Sequence, residues 1–385
     1  MAVGCILNRV RKPRNGNSRQ PRLANRALKI GIQNAVPLQL EQVGPQHLDQ
    51  VVAFLRSAFQ APPNSSFLRT DIVNWKYFVP RPDWVGSRSY VFRDGGQIAA
   101  HGCIVPTTFV TPDGDTIRSI FVIDWAASRS VPGAGILLLK EIAALADIRF
   151  GYGGSAATRQ LVRKGHAGKK NRIEQVLGKI IRVKRSLRPL YPLQDRTLSP
   201  GQATMYAIRN VWWNARHPLN VPSQWTARPV ERFDAQLLNT RLPSSRVKLV
   251  LPLRSPDLLN YMLGCPSVGF SGFLLEKKGM LRGHLLLADL GEEVRIADLL
   301  IDSDDVEEWM ACYSLAAATA RRLHPRAGYL RAMAAPDVLQ SAITRAGFTV
   351  LGSLTAIVQD KNNVLPRTQL PVLNMMDSDA AYFSD

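Results

Sequence analysis

No acidic residue precedes Glu41, although eight lysines and arginines stand in that stretch (Arg9, Arg11, Lys12, Arg14, Arg19, Arg22, Arg26 and Lys29). Without apolar residues at a regular spacing, residues 1–37 have nothing to bury and read as a basic tail. Their acid-poor, Arg-rich character also fits an organelle transit peptide. Cysteine is scarce: Cys5, Cys103, Cys265 and Cys312 are far apart, with no Cys-x-x-Cys pair, which signals neither a disulfide framework nor a zinc site. The six histidines are dispersed, so no metal set is expected. Long apolar runs are missing too. The best, residues 136–146, is broken by Lys140 and Glu141 and falls short of the roughly 18 residues of a membrane span. The apolar start, residues 1–7, is too short for a signal-peptide core, so a reduced, cytoplasmic protein is expected. A three-glycine dinucleotide fingerprint and repeated parallel-sheet units are absent, which argues against a dehydrogenase.

What is present is a chain of 385 residues with 46% apolar residues and a formal charge of +19. That length suggests two domains of about 150 residues plus tails. A second basic concentration, from Arg159 to Arg188, lies inside the folded part and would attract nucleic acid, a membrane surface or a phosphorylated ligand.

The stretch 129–140, Arg-Ser-Val-Pro-Gly-Ala-Gly-Ile-Leu-Leu-Leu-Lys, organises the rest. It follows a strand-like run at 119–127 and opens an apolar helix expected to reach about Ala146. Gly133 and Gly135 allow close approach of a ligand, and the first amides of a helix have no intrahelical partner. Strand, glycine loop and helix in that order make a cradle for phosphate.

Other elements follow by pattern. Leu48, Val51, Val52, Leu55 and Phe59 form one helical stripe, and alternation predicts strands at 89–93 and 97–110 joined at Gly95-Gly96. A short strand is expected at 148–152, a helix capped by Ser155 and ending near Lys164, and further strands over 172–185. Residues 193–225, with Trp212, Trp213 and Trp225 among prolines and arginines, read as a segment crossing between domains. Beyond it the order repeats. Asp257, Asn260, Tyr261 and Pro266 keep the offsets of Asp71, Asn74, Trp75 and Pro80, and Asp298 stands where the first copy has Asp124. The expected fold is α/β, a mixed and mostly antiparallel sheet with helices on both faces, used twice. Its parts are a tail (1–37), a first domain (38–192), a connecting segment (193–225), a second domain (226–360) and a C-terminal tail (361–385).

With these elements in place, both halves resemble the GNAT acyltransferase superfamily, in the tandem arrangement of the Fem aminoacyl transferases. The resemblance implies that a central strand splays from its neighbour and pairs with the pantetheine arm of acetyl-CoA or another acyl-CoA. A glycine loop then holds the pyrophosphate. It places the coenzyme on Trp125, Ala126, Ala127, Val131, Gly133, Ala134, Gly135 and Ile136. The loop departs from the family's pattern, with Ser130 in place of Gln or Arg and with Pro132, which has no amide to donate. In the second half the matching helix start carries Asp302, Asp304, Asp305, Glu307 and Glu308, which would repel a pyrophosphate. Coenzyme is therefore expected in the first copy only.

Acyl transfer to an amine needs a base, oxyanion donors and an acid for the thiolate. Asp124 is the best-placed base, against the alternative of a buried structural acid paired with an arginine; His101 is the second candidate, against that of an ordinary core histidine. The family's tyrosine acid falls on Leu161 and Ile343 here, leaving Ser155 as a substitute that helix capping explains as well. The acceptor would be a small-molecule, sugar or peptide amine. A Fem-like transfer from charged tRNA landing on the basic stretch, or a non-catalytic binding module, are the alternatives.

Overall fold

The computed structural model describes residues 38–151, 174–195, 197–234, 247–360, 362–365 and 370–382. The basic tail and the helix expected from Ser155 lie outside these residues, as does the first half of the basic stretch that begins at Arg159.

The first part of the chain runs β1 (Gln39–Gln42), α1 (Leu48–Phe59), α2 (Thr70–Tyr77), β2 (Ser89–Asp94), β3 (Gln97–Val110), β4 (Thr116–Ala127), α3 (Ala134–Ile142), β5 (Ile148–Gly151) and β6 (Glu174–Ser186). Then come α4 (Pro200–Arg216), β7 (Trp225–Val230), β8 (Leu251–Pro252), α5 (Pro256–Leu263), β9 (Gly269–Lys277), β10 (Met280–Asp289), β11 (Glu293–Ile301), α6 (Val306–Leu323), β12 (Tyr329–Ala334), α7 (Asp337–Arg345) and β13 (Thr349–Asp360).

Thirteen strands make one sheet in the order β1-β2-β3-β4-β5-β13-β6-β12-β11-β10-β9-β7, with β8 paired to β3. Its pairs are antiparallel except β4 with β5 and β11 with β12. At the centre the strands exchange. β6, from the first part of the chain, pairs with β12, and β13, from the last part, pairs with β5.

Period-two alternation sends successive strand residues to opposite faces. Val91, Cys103 and Val105 pack with Val51, Val52 and Leu55 of α1 and with Val73 and Tyr77 of α2. Phe92, Ala100, Ile104 and Ile120 pack on the other face against Leu138 and Ile142 of α3. Farther along the sheet, Leu285, Leu287, Leu299 and Ile301 lie under α6 and α7. The opposite face, with Leu274, Leu286 and Ala288, is covered by α5 and by residues 370–382. That last segment, read from sequence as part of a tail, is core: Val372 and Ala381 are wholly buried, as nearly are Met376 and Tyr382.

Two local expectations need correction. The helix after the glycine loop ends at Ile142, short of Ala146, and Ala143 to Leu145 continue as turns. The crossing segment contains a helix, α4, that the tryptophans and prolines obscured. Ser199 caps it by accepting from the Gln202 amide, Gln202 returns the bond, and Pro200 takes the first turn, where its missing N–H costs nothing. Trp213 donates to the Gly347 carbonyl and Asn214 to that of Ser186, so α4 is held by the residues beside both exchanged strands.

Candidate functional site

β4 pairs with β5 only at Ser119, Ile120 and Phe121. On its other side it stays with β3 as far as Ala127. The edge of β4 that faced β5 is therefore free of a strand partner over residues 122–127 among the described residues. The splay lies beside the start of α3.

Within that edge the strand bulges. His101 faces Ala126 and Cys103 faces Ile123, so Gly102 stands opposite two residues, Asp124 and Trp125. Asp124 takes the left-handed conformation, with φ of 48°. The extra residue lets both Ile123 and Asp124 turn toward α1 and α2, while Trp125 turns toward α3 and donates from Nε1 to the Gly135 carbonyl at 2.9 Å.

Asp124 is held on all sides. Its carboxylate forms an ion pair with Lys76 of α2 and accepts from Tyr77 Oη at 2.6 Å. Burial alone would raise its pKa, but the Lys76 ammonium overcomes that and holds it below the ordinary value. Burial, reinforced by Asp124, lifts Tyr77 well above its usual range.

His101 is wholly buried beside them. Its Nδ1 lies 3.0 Å from the Asp124 carbonyl, which can only accept, so Nδ1 carries the proton. Nε2 is then the acceptor for Ser89 Oγ at 2.9 Å. Burial lowers the His101 pKa to about 4, which keeps the ring neutral. Both of its nitrogens are spent on holding the bulge.

Lys76, Tyr77 and Ser89 were not singled out from sequence. Lys76 had a signal: it stands four residues after Ile72 and three after Val73, on the buried stripe of α2, where a lysine is costly without a partner. The end of α2 is fixed by Arg88, whose guanidinium donates to the carbonyls of Trp75, Lys76 and Val79 and to Tyr261 Oη. Trp75 and Tyr261 stack at 4.7 Å with 12° between their planes.

The glycine loop divides into two roles. Gly133 has φ of +86°, serves as the N-cap of α3 and would present a side chain to open space. Gly135 is instead a packing residue, since a Cβ there would sit 2.9 Å from that of Ala127 and 3.3 Å from Trp125 Nε1. Ala134 is buried against sheet residues on the α3 face, Ala126 is buried on the opposite face with α1 and α2, Val131 is half-buried, and Ala127 and Ile136 are exposed.

The other half has a matching frame with different contents. Asp298 follows Glu293, the partner of the first residue of β12, by the interval at which Asp124 follows Ser119, the partner of the first residue of β5. His284 faces Leu300, two residues past Asp298, as His101 faces Ala126. Here Asp298 takes a two-point ion pair from Arg254, at 3.0 and 3.1 Å, and a 2.7 Å contact from His284 Nε2. Burial opposes its charge, but Arg254 and His284 pull its pKa to about 2. Arg254 also binds Asp377 at 2.7 Å, and Asp377 accepts from Thr107 of β3 at 3.0 Å. The opening between β11 and β12 is closed by the same segment: Asn374 Nδ2 donates to the Leu299 carbonyl, and the Leu373 amide reaches that of Ala335. Asp305 caps α6, where the first half has Gly133.

No protein-family profile matches this chain, and no curated protein matches it in sequence. Solved structures do match its fold. An Enterococcus faecalis protein described as a probable N-acyltransferase aligns at a TM-score of 0.52 and 12% identity, over 85% of this chain and 73% of that one. A GCN5-related N-acetyltransferase from Anabaena variabilis aligns at 0.53 and 12%, over 84% and 73%. Saccharomyces cerevisiae N-myristoyltransferase, solved with myristoyl-CoA, aligns at 0.54 and 11%, over 88% and 82%. By its mixed sheet, splayed central strands and the helix that follows the glycine loop, this chain has the fold of the GCN5-related N-acyltransferases.

Proposed function

We propose that this protein transfers an acyl group from an acyl-coenzyme A to an amine, with the coenzyme in the splay between β4 and β5. The observation that carries the reading is the contrast between the two splays. Along β4 the edge at residues 122–127 has no strand partner among the described residues and offers its backbone to the amides of a pantetheine arm, and Gly133 opens the helix start beside it for the pyrophosphate. Along β11 the matching opening is filled by residues 372–374 and faces a helix start crowded with carboxylates. On this reading residues 38–192 and 226–360 are two copies of one fold, the first for coenzyme and the second for structure and acceptor binding. The stacked pair Trp75 and Tyr261, which hold the same offset in the two copies, supports it.

The bound thioester would supply the acyl carbon, and the chain's own residues shape the place where an amine meets it. Asp124 and His101 act here as positioning residues. A carboxylate already neutralised by Lys76, and a neutral imidazole with both nitrogens bonded, hold the bulge that turns the β4 edge outward. Neither is placed to accept a proton from an incoming amine.

Calorimetric titration with acetyl-CoA and a longer acyl-CoA tests the reading. Binding is expected in wild-type protein and in an Asp304→Asn, Asp305→Asn variant alike, because the second splay takes no part. Wild-type protein that binds neither thioester would overturn the enzyme reading and favour a non-catalytic module.

A further inference from the structure

Helix α4 is turned inside out. Its inner face carries Ala203, Ala207 and Asn210, all buried, whereas Met205, Ile208, Val211 and Trp212 are 56%, 65%, 46% and 50% exposed. Met205, Ile208 and Trp212 fall on one stripe by helical spacing. Burying small and polar residues while leaving the large apolar ones in water costs free energy unless that face meets something apolar.

The charges on the face say what that is. From Thr197 to Val230 the sequence has no aspartate or glutamate, and α4 carries Arg209 and Arg216 on the same outward side. The Arg216 guanidinium lies 4.0 Å from the centre of the Trp212 ring. Arg209 adds to a cationic group with Lys184 and Arg331; burial, and after it these two arginines, lower the Lys184 pKa, and Glu293 is the carboxylate that answers Arg331. A second copy docked face to face would bring arginine against arginine with no acid on the helix to answer it. Nucleic acid would satisfy the arginines but leave Met205, Ile208 and Val211 without apolar partners. An apolar stripe with an aromatic at its edge and arginines able to reach outward fits the boundary between acyl chains and anionic headgroups.

We infer that α4 docks the protein on an anionic lipid surface, with Met205, Ile208, Val211 and Trp212 entering the acyl boundary and Arg209 and Arg216 meeting the headgroups. The test is sedimentation of the full chain with vesicles of phosphatidylcholine alone, or of phosphatidylcholine with phosphatidylglycerol. Wild-type protein should partition onto the mixed vesicles. Ile208→Glu with Trp212→Glu should weaken that partitioning at least about tenfold with little change in the thermal midpoint, since both side chains are half or more exposed. Arg209→Gln with Arg216→Gln should weaken it on mixed vesicles only. The basic residues before Glu41 are intact in every variant, so equal sedimentation of wild type and the Ile208, Trp212 variant would assign binding to them and overturn the inference. So would a wild-type dimer in solution that the Trp212 change dissociates.

Discussion

Lys76 and Asp124 form a buried ion pair, with Tyr77 Oη as a further donor to the carboxylate. Removing one leaves the second buried without its counter-charge, which typically costs about 3–5 kcal/mol, whereas replacing both with apolar groups of similar size is often close to neutral. Lys76→Met should therefore destabilise the protein by roughly that amount. Lys76→Met with Asp124→Leu should recover much of the loss, as a double-mutant cycle by denaturant unfolding would show. If catalysis depended on Asp124 as a base, the double variant would be stable and inactive. If Asp124 only positions the bulge, turnover should follow how well the β4 edge is preserved. His101 adds a pH dependence. Its folded pKa, lowered by burial to about 4, lies below the ordinary histidine value, so the unfolded chain takes up a proton first as the pH falls. The stability that neutral His101 confers is complete above about pH 6.5 and is lost between there and about pH 4, on the order of 3 kcal/mol. His101→Gln should flatten the thermal midpoint over that window. A slope identical to that of wild type would show that another group is responsible.

The glycine loop shows at the level of elements how much of the site was legible in the sequence. Strand, loop and helix were readable because apolar runs, paired glycines and a helical stripe are local signals. What each glycine does was not, because Gly135 is required by Trp125 and Ala127 across the β4 bulge, and a bulge has no local signature. The same reason hid Lys76 as the partner of Asp124. Asp124 and Asp298 hold matching register positions, but the arginine that the structural alternative placed beside Asp124 pairs with Asp298, where Arg254 comes from the loop before α5. Helix α4 was concealed by its inverted pattern, since its stripe of large apolar residues points to solvent. The division between the glycines leads to a prediction. Gly133→Glu keeps its side chain in open space and costs about 1–3 kcal/mol for the left-handed backbone, but it places a carboxylate where a pyrophosphate would lie. Gly135→Ala adds one methyl group against Ala127 and should destabilise by roughly 1–3 kcal/mol by forcing α3 from β4. Calorimetry should show coenzyme binding abolished in the first variant and weakened in proportion to lost stability in the second. Equal binding by Gly133→Glu and wild type would remove the loop from the coenzyme site.

At the scale of the whole molecule, the exchange of β6 and β13 and the path of residues 370–382 make the two halves a single object. β5 has its second partner in β13, and β12 has its second partner in β6, so neither half completes its sheet from its own residues. The C-terminal segment adds a second tie, because Asp377 bonds to Thr107 of β3 while Tyr382 packs edge-on against Trp75 of α2. Repeated element order visible in sequence pointed to two units, but strand exchange is a property of long-range pairing and leaves no trace in local pattern. Deleting residues 370–385 would uncover Phe109, Ile148 and Phe150 from the first half together with Leu274, Leu286 and Ala297 from the second, all of which share one core with the segment. It would also leave Arg254 with one carboxylate where it now has two. Losing the packing of Val372, Leu373, Met375 and Met376, at about 1.5–3 kcal/mol for each fully buried side chain, approaches the total stability of an ordinary domain. The truncated chain should therefore unfold as a whole, giving insoluble protein or one broad, early transition in scanning calorimetry. A truncated chain that kept the melting profile of the full chain would show that the segment lies on an already complete core. A profile in which only one of two transitions moved would show that the halves fold separately despite the shared sheet.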